Sequence, residues 1–242
     1  MSNSLHLKGL ATDRGRRLAL AGVAALALGF AIPAVPASTP GDSYVYQLVN
    51  AYNKETIGRV QHQVDQANAN RVALSVSPDS AATGWARTEV YTGEGNWLRG
   101  PIESHGVSED YEFATAFPAY VFPLDPGKSW SVRVNATVPG TGARRSVRVD
   151  GRVLGTERIR VPAGEFETIK VQRVVYPGDA DFGRTETRII ETDWYAPKLG
   201  RPVRTERRSE WLDLTQCGMM GGCDFRGAWI VTELVSAKAA GK

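Results

Sequence analysis

Beyond position 37, the side chains best suited to act as bases, ligands or nucleophiles are two histidines, His62 and His105, and two cysteines, Cys217 and Cys223. His105 stands among Glu103, Ser104, Glu109 and Asp110. A histidine among carboxylates can bind a divalent metal or pass a proton, although loops also collect such residues. His62 lies in a strand-like run between Val60 and Val64 and is expected at the surface. The cysteines enclose Gly218-Met219-Met220-Gly221-Gly222. That spacing, without a second Cys or His pair, fits neither a zinc site nor a redox motif. A disulfide closing the Gly-rich loop is expected in an oxidising compartment, with two free thiols as the alternative.

Other catalytic patterns are missing. No Gly-x-Ser-x-Gly turn occurs; Gly127-Lys128-Ser129 runs on into Trp130-Ser131 and opens a strand. No Walker loop, dinucleotide fingerprint or His-Glu-x-x-His is present. A glycosidase needs only two carboxylates across a cleft, and Glu165 and Glu167, flanking Phe166, are the candidates. The expectation is a protein that is not an enzyme, with no catalytic residue, metal or cofactor. Aromatic residues are more suggestive. Trp85, Tyr91 and Trp97 share one hairpin-like region, followed by Tyr111, Phe113, Phe117, Tyr120 and Phe122. They pack a core, or else Trp85, Trp97, Tyr111, Phe113, Phe117 and Tyr120 line an apolar cleft for a lipid, glycan or peptide.

Strands must position these groups, because two-residue alternation dominates and helical periodicity is almost absent. Tyr44, Tyr46 and Leu48 share one parity, as do Val72, Leu74 and Val76, then Trp130, Val132 and Val134, then Val147 and Val149. Thr185 to Tyr195 is β-branched and aromatic, as strands prefer, and Trp229 to Val235 reads as the last strand. Turns are expected at Asn53-Lys54-Glu55, Asp125-Pro126-Gly127, Pro139 to Gly142, Pro177-Gly178-Asp179 and Lys198-Leu199-Gly200, where the residues fix φ or tolerate positive φ. About eleven strands result, by the turn spacing of antiparallel sheets, in one all-β domain. Asp150-Gly151 reads either as a hairpin turn or as a bulge within one long bent strand. Gly100 to Phe117 reads as an irregular loop or lid. Charges of both signs, as in Glu186 with Arg188, Arg204 with Glu206, and Arg207, Arg208 and Glu210, read as cross-strand pairs on a solvated face.

The chain of 242 residues opens with a basic stretch (Lys8, Arg14, Arg16, Arg17), an uncharged run from Leu18 to Ile32, and Val35-Pro36-Ala37. This is the order of a cleavable secretory signal peptide, cut near Ala37 and using the general secretory route to the periplasm. The run is shorter than a spanning helix needs, and no other stretch is long and apolar enough, so no stable membrane anchor is expected after cleavage. The leader takes four of the 29 basic residues and one of the 26 acidic ones, leaving 25 of each. Without a basic excess, nucleic acid is not an expected partner.

Two segments carry a family resemblance. Val161-Pro162-Ala163-Gly164-Glu165-Phe166 leads into Ile169-Lys170-Val171, and Trp194-Tyr195-Ala196-Pro197 leads into Leu199-Gly200-Arg201-Pro202-Val203-Arg204. In this order they resemble the TapB-like family of exported bacterial proteins, over about residues 120–212. The motif residues Gly164, Phe166, Trp194, Tyr195, Pro197 and Gly200 are structural: the glycines permit positive φ and the aromatics anchor the sheet. The resemblance implies a strongly curved antiparallel sheet or half-open barrel, similar to periplasmic lipoprotein carriers whose concave face holds acyl chains. Fold does not fix function, so three readings follow. The first is a periplasmic binding or carrier module for an apolar or amphipathic ligand. The second is an envelope module that binds another protein. The third, a hydrolase, needs His105 and a carboxylate, or two acids, in one cleft.

Overall fold

The computed structural model describes residues 38–81, 84–216 and 222–241. The expected leader, its cleavage site near Ala37 and Cys217 lie outside the described residues. Within them the chain forms thirteen strands and no α-helix. These are β1 (Ser43–Asn50), β2 (Thr56–Ala67), β3 (Val72–Pro78), β4 (Arg87–Tyr91), β5 (Trp97–Ser104), β6 (Val107–Phe117) and β7 (Ser129–Val138). Then come β8 (Ala143–Val161), β9 (Gly164–Tyr176), β10 (Arg188–Ala196), β11 (Arg201–Asp213), β12 (Cys223–Arg226) and β13 (Ile230–Lys238).

The antiparallel all-β expectation holds, and the sheet curls far enough to close. Each strand from β1 to β11 pairs with the next in sequence, and β13 pairs with both β1 and β11. β11 thereby links the two edges and leaves a closed barrel of twelve strands, with β12 as an extra one. β12 continues the lane of β13: Arg204–Arg207 of β11 pair with β13, and Glu210–Asp213 pair with β12. The lane breaks at Gly227, whose N–H donates to Ser209 O at 3.0 Å. A Cβ there would lie 2.1 Å from Ser209 Oγ and 2.3 Å from Glu103 Oε1, so a larger residue would displace that hydrogen-bonded pair.

Two sequence readings change. Gly100 to Phe117 is not an irregular lid but most of the β5–β6 hairpin, turning at His105-Gly106. Two of its acids, which looked like loop residues, are cross-strand partners: Arg99 pairs with Asp110 at 3.2 Å and with Glu112 at 3.4 Å. Asp150-Gly151 is no turn, because β8 runs unbroken for 19 residues. Its register shift comes later, between Val153 and Gly155. Gly151 serves a close approach instead, since a Cβ would meet the Trp130 indole at 2.1 Å.

The interior divides into two parts. On the β6–β10 side, alternate residues (Val134 and Ala136, Val147 and Val149, Val171 and Val175, Ile189 and Tyr195) interlock with Tyr111, Phe113 and Phe117 in one apolar cluster. A second cluster joins Tyr44, Tyr46, Val60, Val64, Leu74 and Leu234 with Val161 at the tip of the β8–β9 hairpin. That tip latches onto β13 through Ala163 N–H, which donates to Leu234 O at 3.0 Å. The outer face carries ion pairs such as Arg188–Glu210, Arg160–Glu165 and Arg158–Glu167. An outer face carrying such ion pairs is the reverse of a bilayer-spanning barrel, which shows lipid an apolar band.

Candidate functional site

Between the two clusters the barrel is not filled. A cavity of about 430 Å³ lies against the inward faces of β1–β4, β11 and β13, within the roughly 300–1,000 Å³ of small-molecule sites. Its apolar wall comes from Leu48, Val60, Val72, Leu74, Trp97 and Phe117. The strand registers place these side chains by simple alternation. Tyr46 lies opposite Val60, Val64 opposite Leu74, and Val72 opposite Tyr91, so apolar residues of one parity form a continuous surface.

Charged groups interrupt this wall in two places. The first is Arg87, Glu89 and Tyr91 on β4, with His62 of β2. Arg87 donates to Glu89 through Nε at 2.8 Å and through Nη2 at 2.5 Å, and the Tyr91 hydroxyl donates to the other Glu89 oxygen. Burial penalises the Glu89 anion, but His62, Arg87 and the Tyr91 hydroxyl outweigh that and hold its carboxyl below the usual range. Burial also pushes His62 down to about 4; Arg201 and Arg87 add to this, and Glu89 opposes it. His62 is therefore a neutral imidazole at ordinary pH.

The second is a buried network on β9, β10 and β11. Arg173 pairs with Asp193 at 2.7 Å and Glu191 at 3.1 Å. Asp193 also accepts from the Tyr120 hydroxyl at 2.6 Å and from Thr205 Oγ1 at 2.7 Å. Burial opposes the Arg173 charge, but Asp193 and Glu191 together raise its pKa above normal. Burial, then the Asp193 charge, push Tyr120 far above the phenol range. Arg207 of β11 lines the same cavity, opposite Glu191 in the ladder but without an ion pair to it. One further cation, Arg201, lies at the start of β11 with its guanidinium 3.4 Å from the centre of the Tyr44 ring.

Of the aromatics expected to line a cleft, Trp85, Trp97, Phe117 and Tyr120 border the cavity, with Trp85 at 40% exposure on its rim. Tyr111 and Phe113 do not: both are buried in the apolar cluster. His62 was expected outside but lines the cavity, because it shares the parity of Val60 and Val64. Arg207, expected on the solvated face, also lines it. Arg173, Glu191 and Asp193 were missed, although each alternates with buried residues: Arg173 with Val171 and Val175, the acids with Ile189 and Tyr195. A charge at an apolar parity position was the available signal.

The other candidates lie elsewhere. His105 sits at the β5–β6 tip, docked on the β9–β10 loop. Its backbone N–H donates to Thr187 Oγ1 at 2.9 Å, its Nε2 is 2.9 Å from Thr185 O, and its Nδ1 is 3.6 Å from Asp179. Asp110 pairs with Arg99 rather than with this imidazole, and Glu103 accepts from the Ser209 hydroxyl. Among the described residues no group of three or more His, Cys, Asp or Glu side chains could hold a metal. Glu165 and Glu167 face solvent, tied to Arg160 and Arg158. Gly164 and Gly200 adopt φ of 131° and 65° at the β8–β9 and β10–β11 turns, and Phe166 and Leu199 pack beside the second cluster. Pro197 opens the turn that Gly200 closes, the Gly200 N–H donating to Pro197 O at 3.3 Å. Trp194 and Tyr195 point to opposite faces. Tyr195 enters the apolar cluster, while Trp194 donates to Glu157 at 2.6 Å under Lys170 and Arg204. Cys223 starts β12, and its expected partner Cys217 is outside the described residues.

No family profile matches the chain, and no curated protein matches it. Solved structures do. A protein of Parabacteroides distasonis described as a lipoprotein aligns at TM-score 0.50 and 15% identity, covering 83% of this chain and 96% of that one. A Bacteroides fragilis exported protein with a YmcC-like fold gives 0.48 at 16% identity, covering 83% and 97%. The Escherichia coli lipoprotein YmcC gives 0.45 at 10% identity, covering 82% and 85%. At such identities the likeness is one of fold.

Proposed function

We propose that this chain is an exported envelope protein that binds a small amphipathic ligand inside its barrel. The observation that carries the reading is the cavity of about 430 Å³, with an apolar wall on one side and charged groups aimed into it. A core needing only stability would be filled, as it is on the β6–β10 side, because voids forfeit packing contacts. Export is supported by the leader pattern, and by a fold shared with a protein described as a lipoprotein. The same proposal includes a periplasmic address, cleavage near Ala37 and a Cys217–Cys223 bond. It also includes kinship with the TapB-like family, whose motif segments supply the β8–β9 and β10–β11 turns. Native mass spectrometry of the protein purified from its own envelope tests the reading. A bound amphiphile is expected; a uniformly ligand-free protein that also fails to take up a fluorescent acyl probe would defeat it.

A second reading, docking on another envelope protein, is favoured by Phe182, fully exposed on a turn braced by the Asp181–Arg184 pair, with Leu214 beside it at 55% exposure. The same mass spectrum separates the two. A protein partner lost on Phe182→Ser would favour docking.

A further inference from the structure

The cavity's charges do not balance: four arginines (Arg87, Arg173, Arg201, Arg207) line it against three acids (Glu89, Glu191, Asp193). Glu89 is matched by Arg87, and Glu191 and Asp193 both pair with Arg173; among the described residues Arg207 makes no ion pair but stands opposite Glu191 in the ladder. Arg201 is the one furthest from compensation: among the described residues no carboxylate pairs with it, and its ladder neighbour is Ala196. Its ring contact is neutral. The Tyr44 ring lies against it, and the Tyr46 hydroxyl donates to the carbonyl of the next residue, Pro202, at 3.1 Å. Its charge also reaches deep into the barrel, being felt by Tyr46, His62, Tyr91 and Tyr195 on four different strands.

An arginine cannot shed its proton to escape such a place. A cation–π contact offsets part of the desolvation, but a guanidinium beside a ring still has N–H donors to give. Those donors match a carboxylate or phosphate in a bidentate fork. The wall next to it (Leu48, Val60, Leu74, Trp97) is apolar. His62 on the same wall is kept neutral, and so adds no competing charge.

Resting on the lumen-binding reading above, we infer that the ligand is an anionic amphiphile, its carboxylate or phosphate headgroup held by Arg201 against Tyr44 and its hydrocarbon body along the β1–β3 wall. The headgroup supplies the counter-charge that the protein does not.

Calorimetric titration of the purified protein, stripped of lipid, with four twelve-carbon probes tests this below their micelle concentrations. The probes are dodecanoate, dodecyl phosphate, dodecanol and dodecyltrimethylammonium. At least one anion is expected to bind about tenfold or more tighter than dodecanol, as a charge-assisted fork requires, and the ammonium is expected not to bind. The tighter of the two anions names the headgroup. In Arg201→Gln the anion preference is expected to vanish while dodecanol binding stays. Equal binding of anion and alcohol to the native protein would overturn the headgroup assignment and leave the lumen reading intact. Failure of all four probes would overturn the lumen reading itself. An anion preference surviving in Arg201→Gln would assign the headgroup elsewhere. The native series decides by itself should that variant not fold.

Discussion

The two sides of the barrel interior use one backbone pattern to opposite ends. On the β6–β10 side the inward positions are Val, Ala, Ile or aromatic rings apart from Arg173, Glu191 and Asp193 where β9 and β10 meet the cavity, and Val147, Val149, Val153 and Val171 keep 0% exposure. On the β1–β4 and β11 side the inward parity also carries Arg87, Glu89, His62, Arg201 and Arg207, and space remains. Strand pairing positions both sides equally well. The difference teaches that closing a barrel needs only one side to be packed, which leaves the other free to hold charge and a ligand.

The sharpest way to break this comparison is at the seam, where Arg173 and the acids of β10 face the cavity from the packed side. Arg173→Ala strands two buried carboxylates, so a loss of about 3–5 kcal/mol is expected in urea denaturation. A loss below about 1 kcal/mol would mean that the network is solvated and not structural.

A steric probe of the packed side comes next. Gly151→Ala drives a methyl group into the Trp130 indole, which is anchored by its own bond to Pro118 O at 3.0 Å. Overpacking of this kind costs about 1–3 kcal/mol. A shift in midpoint without loss of ligand binding would show that the two sides respond separately.

The open side has a pH signature. His62 is held at about 4, below its unfolded value of about 6.5. Above pH 6.5 both folded and unfolded chains carry it neutral, and its effect is constant. As pH falls from 6.5 towards 4 only the unfolded chain takes the proton, so stability declines across that window and levels off below it. The decline is expected to reach about 2–3 kcal/mol by chemical denaturation at stepped pH, and His62→Gln removes it. An unchanged profile in that variant would place the histidine in water.

The smallest effect on stability belongs to the rim. Trp85→Ala is expected to change stability by less than about 0.5 kcal/mol, since the ring is 40% exposed. The same variant is expected to weaken acyl-probe binding several-fold. Loss of stability without loss of binding would make Trp85 a packing residue.

Much of the fold was legible beforehand, for a local reason. Alternation and turn residues act over a few positions, so Tyr44/Tyr46/Leu48, Val72/Leu74/Val76 and the turns at Asn53 and Pro139 could be read directly. β4 and β12, with five and four residues, were too short to show a period. The β5–β6 hairpin was hidden because Gly100 and Pro101 look like loop residues, and here occupy strand positions opposite Tyr111 and Asp110. The cavity was less legible. Trp85, Trp97, Phe117 and Tyr120 were found by residue type, whereas Tyr111 and Phe113 show that aromatic character does not tell a wall from a core.

What the sequence determined by itself was therefore the class of structure and the leader pattern, because strand period, turn chemistry and charge are properties of neighbours in the chain. Only the tertiary structure decided that β10, β11 and β13 close the barrel, and that Arg173 meets Asp193 while Arg201, among the described residues, pairs with no acid. Those facts depend on which strands lie side by side and at what register. A one-residue slip would turn every one of these charges to the opposite face.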